Sequence, residues 1–266
     1  MSPPSLRIHV ITEEDPFYLP VFFREFFALL PRDHFTVTGV DITPPLNQKS
    51  RRGLARKLYR FYGAVDFLRL GVRFTARKLL DLILPSGWWR GGTIRRIALA
   101  QGVPCRTVSD VNAPEYLERL RGYQLDLLIS VAASQVFRKG LLALPRLAAI
   151  NIHTGSLPRY RGMLPVFWQL FDRCDTIGIT IHTMTVELDL GQIVLSRQVA
   201  ISGARNLDRV IREMKREGAR AMIEALERYR QGTVAPVAME LSEAGYRSFP
   251  GRDDARAFRR MGGRLL

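Results

Sequence analysis

The chain of 266 residues carries 40 Lys or Arg against 25 Asp or Glu, a net charge of +15, with 47% hydrophobic and 9% aromatic content. That is enough apolar side chain to bury the core of one large domain, which argues against a disordered or low-complexity chain. Two cysteines, Cys105 and Cys174, lie far apart without ligand spacing, which argues against a disulfide framework or a structural zinc site. No uncharged apolar run is long enough to span a bilayer, and Met1 to Pro20 lacks a basic start followed by an apolar core, so a cytoplasmic location is expected.

In chain order, Leu6 to Ile11 reads as a first strand, followed by the acidic loop Glu13-Glu14-Asp15-Pro16 and a helix from Leu19 to Leu30. A dinucleotide fold would want G-x-G-x-x-G at this turn, and it is absent. Phe35 to Val40 is a second strand, stopped by Pro44-Pro45. The charge is concentrated after it: residues 51–100 hold twelve Lys or Arg against Asp66 and Asp81, a net +10. Within Arg51 to Leu84, the residues Leu54, Leu58, Phe61, Val65, Leu68, Val72 and Leu79 recur at steps of three, four or seven. This predicts an amphipathic helix or helix pair, with Gly63 and Gly71 as candidate breaks. The apolar positions are numerous enough to serve as ordinary core, so the segment is expected to rest on its own protein and to offer its charge to phosphate groups; an anionic membrane surface is the alternative. Trp88-Trp89 is expected to pack against the body.

Thr93 to Gln101 reads as a helix, Val103 to Arg106 as a short strand, and Pro114 to Tyr123 as a helix with Asn112 as its cap. Leu125 to Val131 is apolar almost throughout, the pattern of a buried parallel strand, and a helix is expected from about Ser134 to Leu144. After the strand that ends at Asn151-Ile152-His153, the runs Gly178 to Met184 and Ile193 to Ile201 alternate as strands. Asn206 begins a long helix to about Gln231, whose stripe of Leu207, Val210, Ile211, Met214, Ala221, Met222 and Ala225 is continued by Gly218. A basic helix around Asp253 to Met261 ends the chain. Strands alternating with helices predict an α/β protein with a doubly wound, mostly parallel sheet and an antiparallel edge.

The chemistry concentrates in Ala149 to Leu195. Asn151 and His153 are two apart in a strand, hence on one face, and Thr154-Gly155-Ser156-Leu157-Pro158 opens the strand into a loop, where α/β sheets place ligands. Glu187-Leu188-Asp189-Leu190-Gly191 supplies an acid in a Gly-containing turn. Such a trio suits acyl transfer to an amine. An Asn amide can donate to the developing oxyanion, worth about 3–4 kcal/mol in well-studied cases. A His can stabilise that oxygen or move the proton, and an Asp can orient the imidazole. No Ser or Cys nucleophile is required, since the amine attacks directly. His182, inside an alternating strand, reads as a structural or pocket-wall residue, and His9 as structural.

Asn151-Ile152-His153, then Leu157-Pro158 and Tyr160-Arg161-Gly162, then Leu188-Asp189-Leu190-Gly191, resemble the signature of the folate-dependent formyltransferases, which include glycinamide ribonucleotide, methionyl-tRNA and sugar N-formyltransferases. The match covers Leu125 to Ile201. The resemblance implies a Rossmann-like formyltransferase fold, 10-formyltetrahydrofolate as co-substrate, no metal, and catalytic roles for Asn151, His153 and Asp189. It implies a folate pocket formed by Ser130, Val131, Ala132, Ala133 and Ser134 with Thr185, Val186, Glu187 and Leu188, and acceptor contacts from Thr154, Gly155, Tyr160, Arg161 and Gly162. Thr154-Gly155 departs from the proline and serine often found after the histidine. Residues 1–232 are expected to form the catalytic domain, with the basic insertion at about 49–92, and 233–266 a short extension. Methionyl-tRNA formyltransferase carries a β-barrel there, for which these residues are too few. A small, phosphate-bearing amine acceptor, most readily an amino sugar linked to a nucleotide or lipid, is therefore expected ahead of methionyl-tRNA, glycinamide ribonucleotide, or water in a deformylase. A homodimer is left open. A nucleic-acid-binding module with an inert enzyme core is the rival of another class, disfavoured by the intact Asn-His-Asp set.

Overall fold

The computed structural model describes residues 4–44, 51–83, 92–201, 203 and 205–266. Strand β1 (Leu6–Glu13) leads to helix α1 (Leu19–Leu29), strand β2 (Phe35–Thr43), the long basic helix α2 (Arg51–Ile83), α3 (Ile94–Ala100), β3 (Cys105–Thr107), α4 (Pro114–Arg121) and β4 (Leu127–Val131). There follow α5 (Lys139–Leu142), β5 (Ala148–His153), the two-residue β6 (Arg161–Gly162), α6 (Pro165–Phe171), β7 (Thr176–Thr183), β8 (Ile193–Ala200), α7 (Leu207–Gln231), β9 (Tyr246–Arg247) and α8 (Arg252–Arg260).

Seven of these strands form one sheet in the order β3-β2-β1-β4-β5-β7-β8. Pairing is parallel from β3 to β5 and antiparallel from β5 through β7 to β8. The expected doubly wound, mostly parallel sheet with an antiparallel edge is thus present. The chain reverses its direction of travel across the sheet between β1 and β4, and a crevice opens at the carboxyl ends of strands flanking such a point. β4 is buried at every residue, as its unbroken apolar sequence requires.

Helix α7 covers one face of the sheet. Asn206 accepts a hydrogen bond from the Arg209 backbone N–H at 2.9 Å, which caps the first turn. Midway, Gly218 lies against the sheet so closely that a Cβ would meet Ile152 Cδ1 at 2.8 Å, which explains why the apolar stripe passes through a residue without a side chain. Residues after Gly232 are woven into the body. β9 pairs with β6, Ala255, Phe258 and Leu265 are buried, and the Phe258 ring lies 5.2 Å from that of Phe167.

Several local expectations need correction. Asn112 does not cap α4; its amide donates to the Val136 carbonyl and accepts from the Arg138 N–H, tying down the loop after β4. The helix expected over Ser134 to Leu144 shrinks to the single turn of α5, because Ser134 is drawn to β2 by bonds to Thr43 and the Pro44 carbonyl. In α2 the break falls at Gly63, with φ 73° and ψ 174°, whereas Gly71 stays helical. The apolar stripe of α2 also divides. Phe61, Tyr62 and Leu70 are buried on the body, while Leu54, Val65, Leu68, Val72 and Leu79, expected to rest on it, are exposed. Trp88-Trp89 lies outside the described residues.

Candidate active site

A cavity of about 430 Å³ opens at the carboxyl ends of β1, β4 and β5. It is lined by Asn151, His153, His182 and Asp189, by Ser130 of β4 with Ala132 and Ala133 just after it, and by Thr185 to Leu188 from the β7–β8 loop. A mostly apolar hollow with a few convergent polar groups is the usual form of a small-molecule site. The antiparallel register sets Asn151 opposite His182, and alternation along β5 brings His153 to the face of Asn151.

The hydrogen bonds assign the protons. His182 Nδ1 lies 2.9 Å from the Thr183 carbonyl, which can only accept, so this nitrogen carries the hydrogen. Nε2 then accepts, and Asn151 Nδ2 donates to it at 3.1 Å. The amide of Asn151 is thereby oriented, with one N–H left over. Burial, and then the neighbouring His153, hold the His182 pKa below its usual value, which preserves this neutral acceptor. His153 is fixed differently. Its Nε2 donates to the Tyr160 carbonyl at 2.7 Å, leaving Nδ1 facing Asp189 Oδ1 at 3.9 Å. Asp189 stands between the two imidazoles, its Oδ1 3.8 Å from His182 Nε2, while its Oδ2 accepts from the Gly162 N–H at 3.0 Å. The ring of His153 is therefore oriented by the Tyr160 carbonyl, and Asp189 contributes charge beyond hydrogen-bonding distance.

Glycines and one glutamine make this placement feasible. A Cβ at Gly155 would meet His153 Nε2 at 2.8 Å and Pro165 Cβ at 2.9 Å. One at Gly191 would lie 1.6 Å from the Thr183 carbonyl oxygen, where the β7–β8 loop closes. Gly162, at φ 100°, would press a Cβ to 2.3 Å from the Arg247 carbonyl oxygen of β9. Buried Gln169 staples the loop after β5: its amide donates to the Thr154 and Pro165 carbonyls, and its carbonyl accepts from the Gly178 N–H.

Of the expected folate-pocket residues, Ser130, Ala132, Ala133, Thr185, Val186, Glu187 and Leu188 line the cavity; Val131 and Ser134 do not. Val131 points into the core by strand alternation, and Ser134 turns toward Thr43 and Pro44. Ala132 adopts φ 52°, a left-handed conformation in which a small side chain is least strained. Of the expected acceptor contacts, Thr154 and Gly162 reach the cavity. Gly155 lies under the His153 ring, the Tyr160 hydroxyl turns away to Asp172 at 3.1 Å, and the Arg161 guanidinium is spent on the Leu188 carbonyl.

The cavity also holds charge that the sequence reading did not assign: Glu13 and Asp15 from the end of β1, with Lys215 from α7 opposite. Burial, and then repulsion by Asp15, push the Glu13 carboxyl up to about 7, with Lys215 opposing. Burial pulls Lys215 down, partly offset by Asp15 and Glu13. Lys215 sits four residues after Ile211 and beside Met214, so a lysine within the apolar stripe of α7 was the available signal. Groups of His, Cys, Asp and Glu arranged to hold a metal ion are not found among the described residues.

Residues 97–226 match the family model described as formyl transferase. Among sequence relatives, a methionyl-tRNA formyltransferase of Trichlorobacter lovleyi is 31% identical over 153 residues, covering 58% of this chain and 48% of its own. One from Citrifermentans bemidjiense is 32% identical over 143 residues, covering 54% and 45%. The chain spans about half the length of these curated relatives. Among solved structures, a sugar N-formyltransferase from a Shewanella species superposes with TM-score 0.58 at 16% identity, covering 96% of this chain and 87% of that one. Glycinamide ribonucleotide transformylase 1 from Symbiobacterium toebii gives 0.59 at 15% identity, covering 89% and 95%. The matched segment carries Asn151, His153 and Asp189 with the loops that place them, and over it the chain is similar to the formyl transferase family.

Proposed function

We propose that this chain is an N-formyltransferase that moves the formyl group of 10-formyltetrahydrofolate to the amine of a small, phosphate-bearing acceptor, an amino sugar attached to a nucleotide or lipid. The observation that carries the reading is the convergence of Asn151, His153 and Asp189 on one cavity at the carboxyl end of the sheet. In the reaction the amine nitrogen bonds to the formyl carbon, the bond from that carbon to folate N10 breaks, the amine gives up a proton, and N10 gains one. The free N–H of Asn151 is available to the oxyanion of the tetrahedral intermediate. His153 Nδ1, without a hydrogen bond among the described residues, is the atom that can face that oxygen or carry the proton, and the Asp189 carboxylate favours the imidazolium formed when it does. The folate supplies the activated formyl group. Its flat ring would enter between the small residues Ala132 and Ala133 and the Thr185 to Leu188 loop, where little side chain blocks the backbone. Thr154 and Gly162 would meet the acceptor. In this reading residues 1–232 form the catalytic domain with its insertion at about 49–92, and 233–266 form an extension whose β9 braces Gly162.

Methionyl-tRNA as the acceptor is the second reading, favoured by the names of the sequence relatives and by the net charge of +15. One experiment separates them. The protein is incubated with 10-formyltetrahydrofolate and, in parallel, nucleotide-linked amino sugars, glycinamide ribonucleotide, methionyl-tRNA or buffer alone, and products are followed by mass spectrometry. Formylation of an amino sugar supports the first reading and formylmethionyl-tRNA the second. Folate deformylation in buffer alone, with no formylated amine, would overturn both.

A further inference from the structure

Helix α2 after its Gly63 break has two apolar faces. Phe67 and Leu70 look inward, and that side is tied to the body: Asp66 pairs with Arg259 at 2.9 Å, Arg73 with Asp208 at 3.5 Å, and Arg77 donates to the Pro16 carbonyl. Val65, Leu68, Val72, Leu79 and Ile83 follow one another at steps of three, four, seven and four, so they form a second stripe on the opposite side. It faces solvent. Leu68 is 69% exposed, Val72 61%, Leu79 55% and Leu82, beside the stripe, 86%. The outward side of a helix docked on a globular body is ordinarily polar, and a continuous apolar strip there marks an interaction surface. Arg69 borders the stripe, and Lys78, farther round the helix with its Nζ over the Phe74 ring, is exposed as well.

Charge selects the partner. Residues 51–83 hold nine Lys or Arg against Asp66 and Asp81. A second copy of the chain placed symmetrically on this face would bring the same positive segment against itself. A bilayer containing anionic lipid offers an apolar interior for the stripe and negative headgroups for the flanking bases. We propose that α2 is a membrane-docking surface that lays Val65, Leu68, Val72, Leu79 and Ile83 into an anionic lipid surface. Its inner side holds the Pro16–Phe17 segment, between the cavity residues Asp15 and Tyr18, so docking sets the cavity beside the lipid. The inference goes beyond the proposed reaction and stands whichever acceptor is formylated.

Flotation of the full chain with phosphatidylcholine vesicles, with and without phosphatidylglycerol, tests it. The protein should float with the anionic vesicles only, and less as salt is raised. Leu68→Ser/Val72→Ser/Leu79→Ser and, separately, Arg69→Glu/Lys78→Glu should each lower the bound fraction at least about fivefold. Both change exposed side chains, so circular dichroism and Tm should match the unaltered protein. Equal flotation with neutral vesicles, or no flotation with either, would overturn the proposal. So would a dimer in sedimentation that the triple serine variant disperses, since a second copy would then cover the stripe.

Discussion

Gly155→Ala probes the geometry of the site without touching a group that reacts. The added Cβ would stand 2.8 Å from His153 Nε2, 2.9 Å from its Cδ2 and 2.9 Å from Pro165 Cβ. Cβ atoms essentially never come closer than 3.0 Å and reach ordinary contact at 3.4 Å, so with Pro165 anchored at the start of α6 the imidazole must retreat, by about half an ångström to reach ordinary contact. That movement breaks or stretches the 2.7 Å bond from Nε2 to the Tyr160 carbonyl, the contact that fixes the ring. A misplacement of about 1 Å in a catalytic group costs on the order of a hundredfold, so kcat should fall by about tenfold to a hundredfold. The backbone at Gly155 is not in the left-handed region, so the folded state should survive with a loss of about 1–2 kcal/mol. The assay is formyl transfer under saturating folate, paired with thermal unfolding and with NMR of the His153 ring. A folded variant with kcat within twofold of the parent would refute the argument that this ring is held from beneath.

Three further outcomes follow from the same contacts. Gly191→Ala should do more damage, because its Cβ overlaps the Thr183 carbonyl oxygen at 1.6 Å; the loop bearing Asp189 must reopen, with turnover down at least about a hundredfold, checked by steady-state kinetics beside circular dichroism. The Glu13 pKa of about 7 stands above the ordinary 4.5, so the folded state binds that proton more tightly and stability falls as pH rises between those values; Glu13→Gln should remove up to about 3 kcal/mol of that fall, read as the difference between denaturant unfolding at pH 5 and pH 8. Ala132→Trp should abolish binding of a folate analogue in titration calorimetry, since this residue lines the cavity with φ 52°, and unchanged affinity would move the pocket elsewhere.

The sheet was legible because its strands are either unbroken apolar runs, as in Leu127–Val131, or alternate cleanly, as in Thr176–Thr183. The trio was legible because strand alternation joins Asn151 to His153, and the Gly-containing turn after β7 singles out Asp189. What the sequence hid is long-range. That His153 is oriented by a backbone carbonyl seven residues on, and that Tyr160 supplies this carbonyl while its ring turns away, depends on how the loop folds over Gln169. Arg161 looked like an acceptor ligand, yet the adjacent loop consumes its guanidinium. Glu13 and Lys215 are 202 positions apart in the chain, and only the packing of α7 against α1 and the sheet brings both to the cavity. The stripe on α2 misled for a different reason: helical spacing reveals an apolar face but not whether the protein covers it.

The most direct test of the central claim is single-turnover transfer of the formyl group by the parent protein and by His153→Ala, each shown to be folded by its unfolding transition. In the proposed mechanism Asn151 would donate to the oxyanion and His153 would face that oxygen or carry the proton, so removing the imidazole should slow the chemical step by at least about tenfold to a hundredfold. A properly folded His153→Ala protein that transfers the formyl group at nearly the parent rate would contradict it.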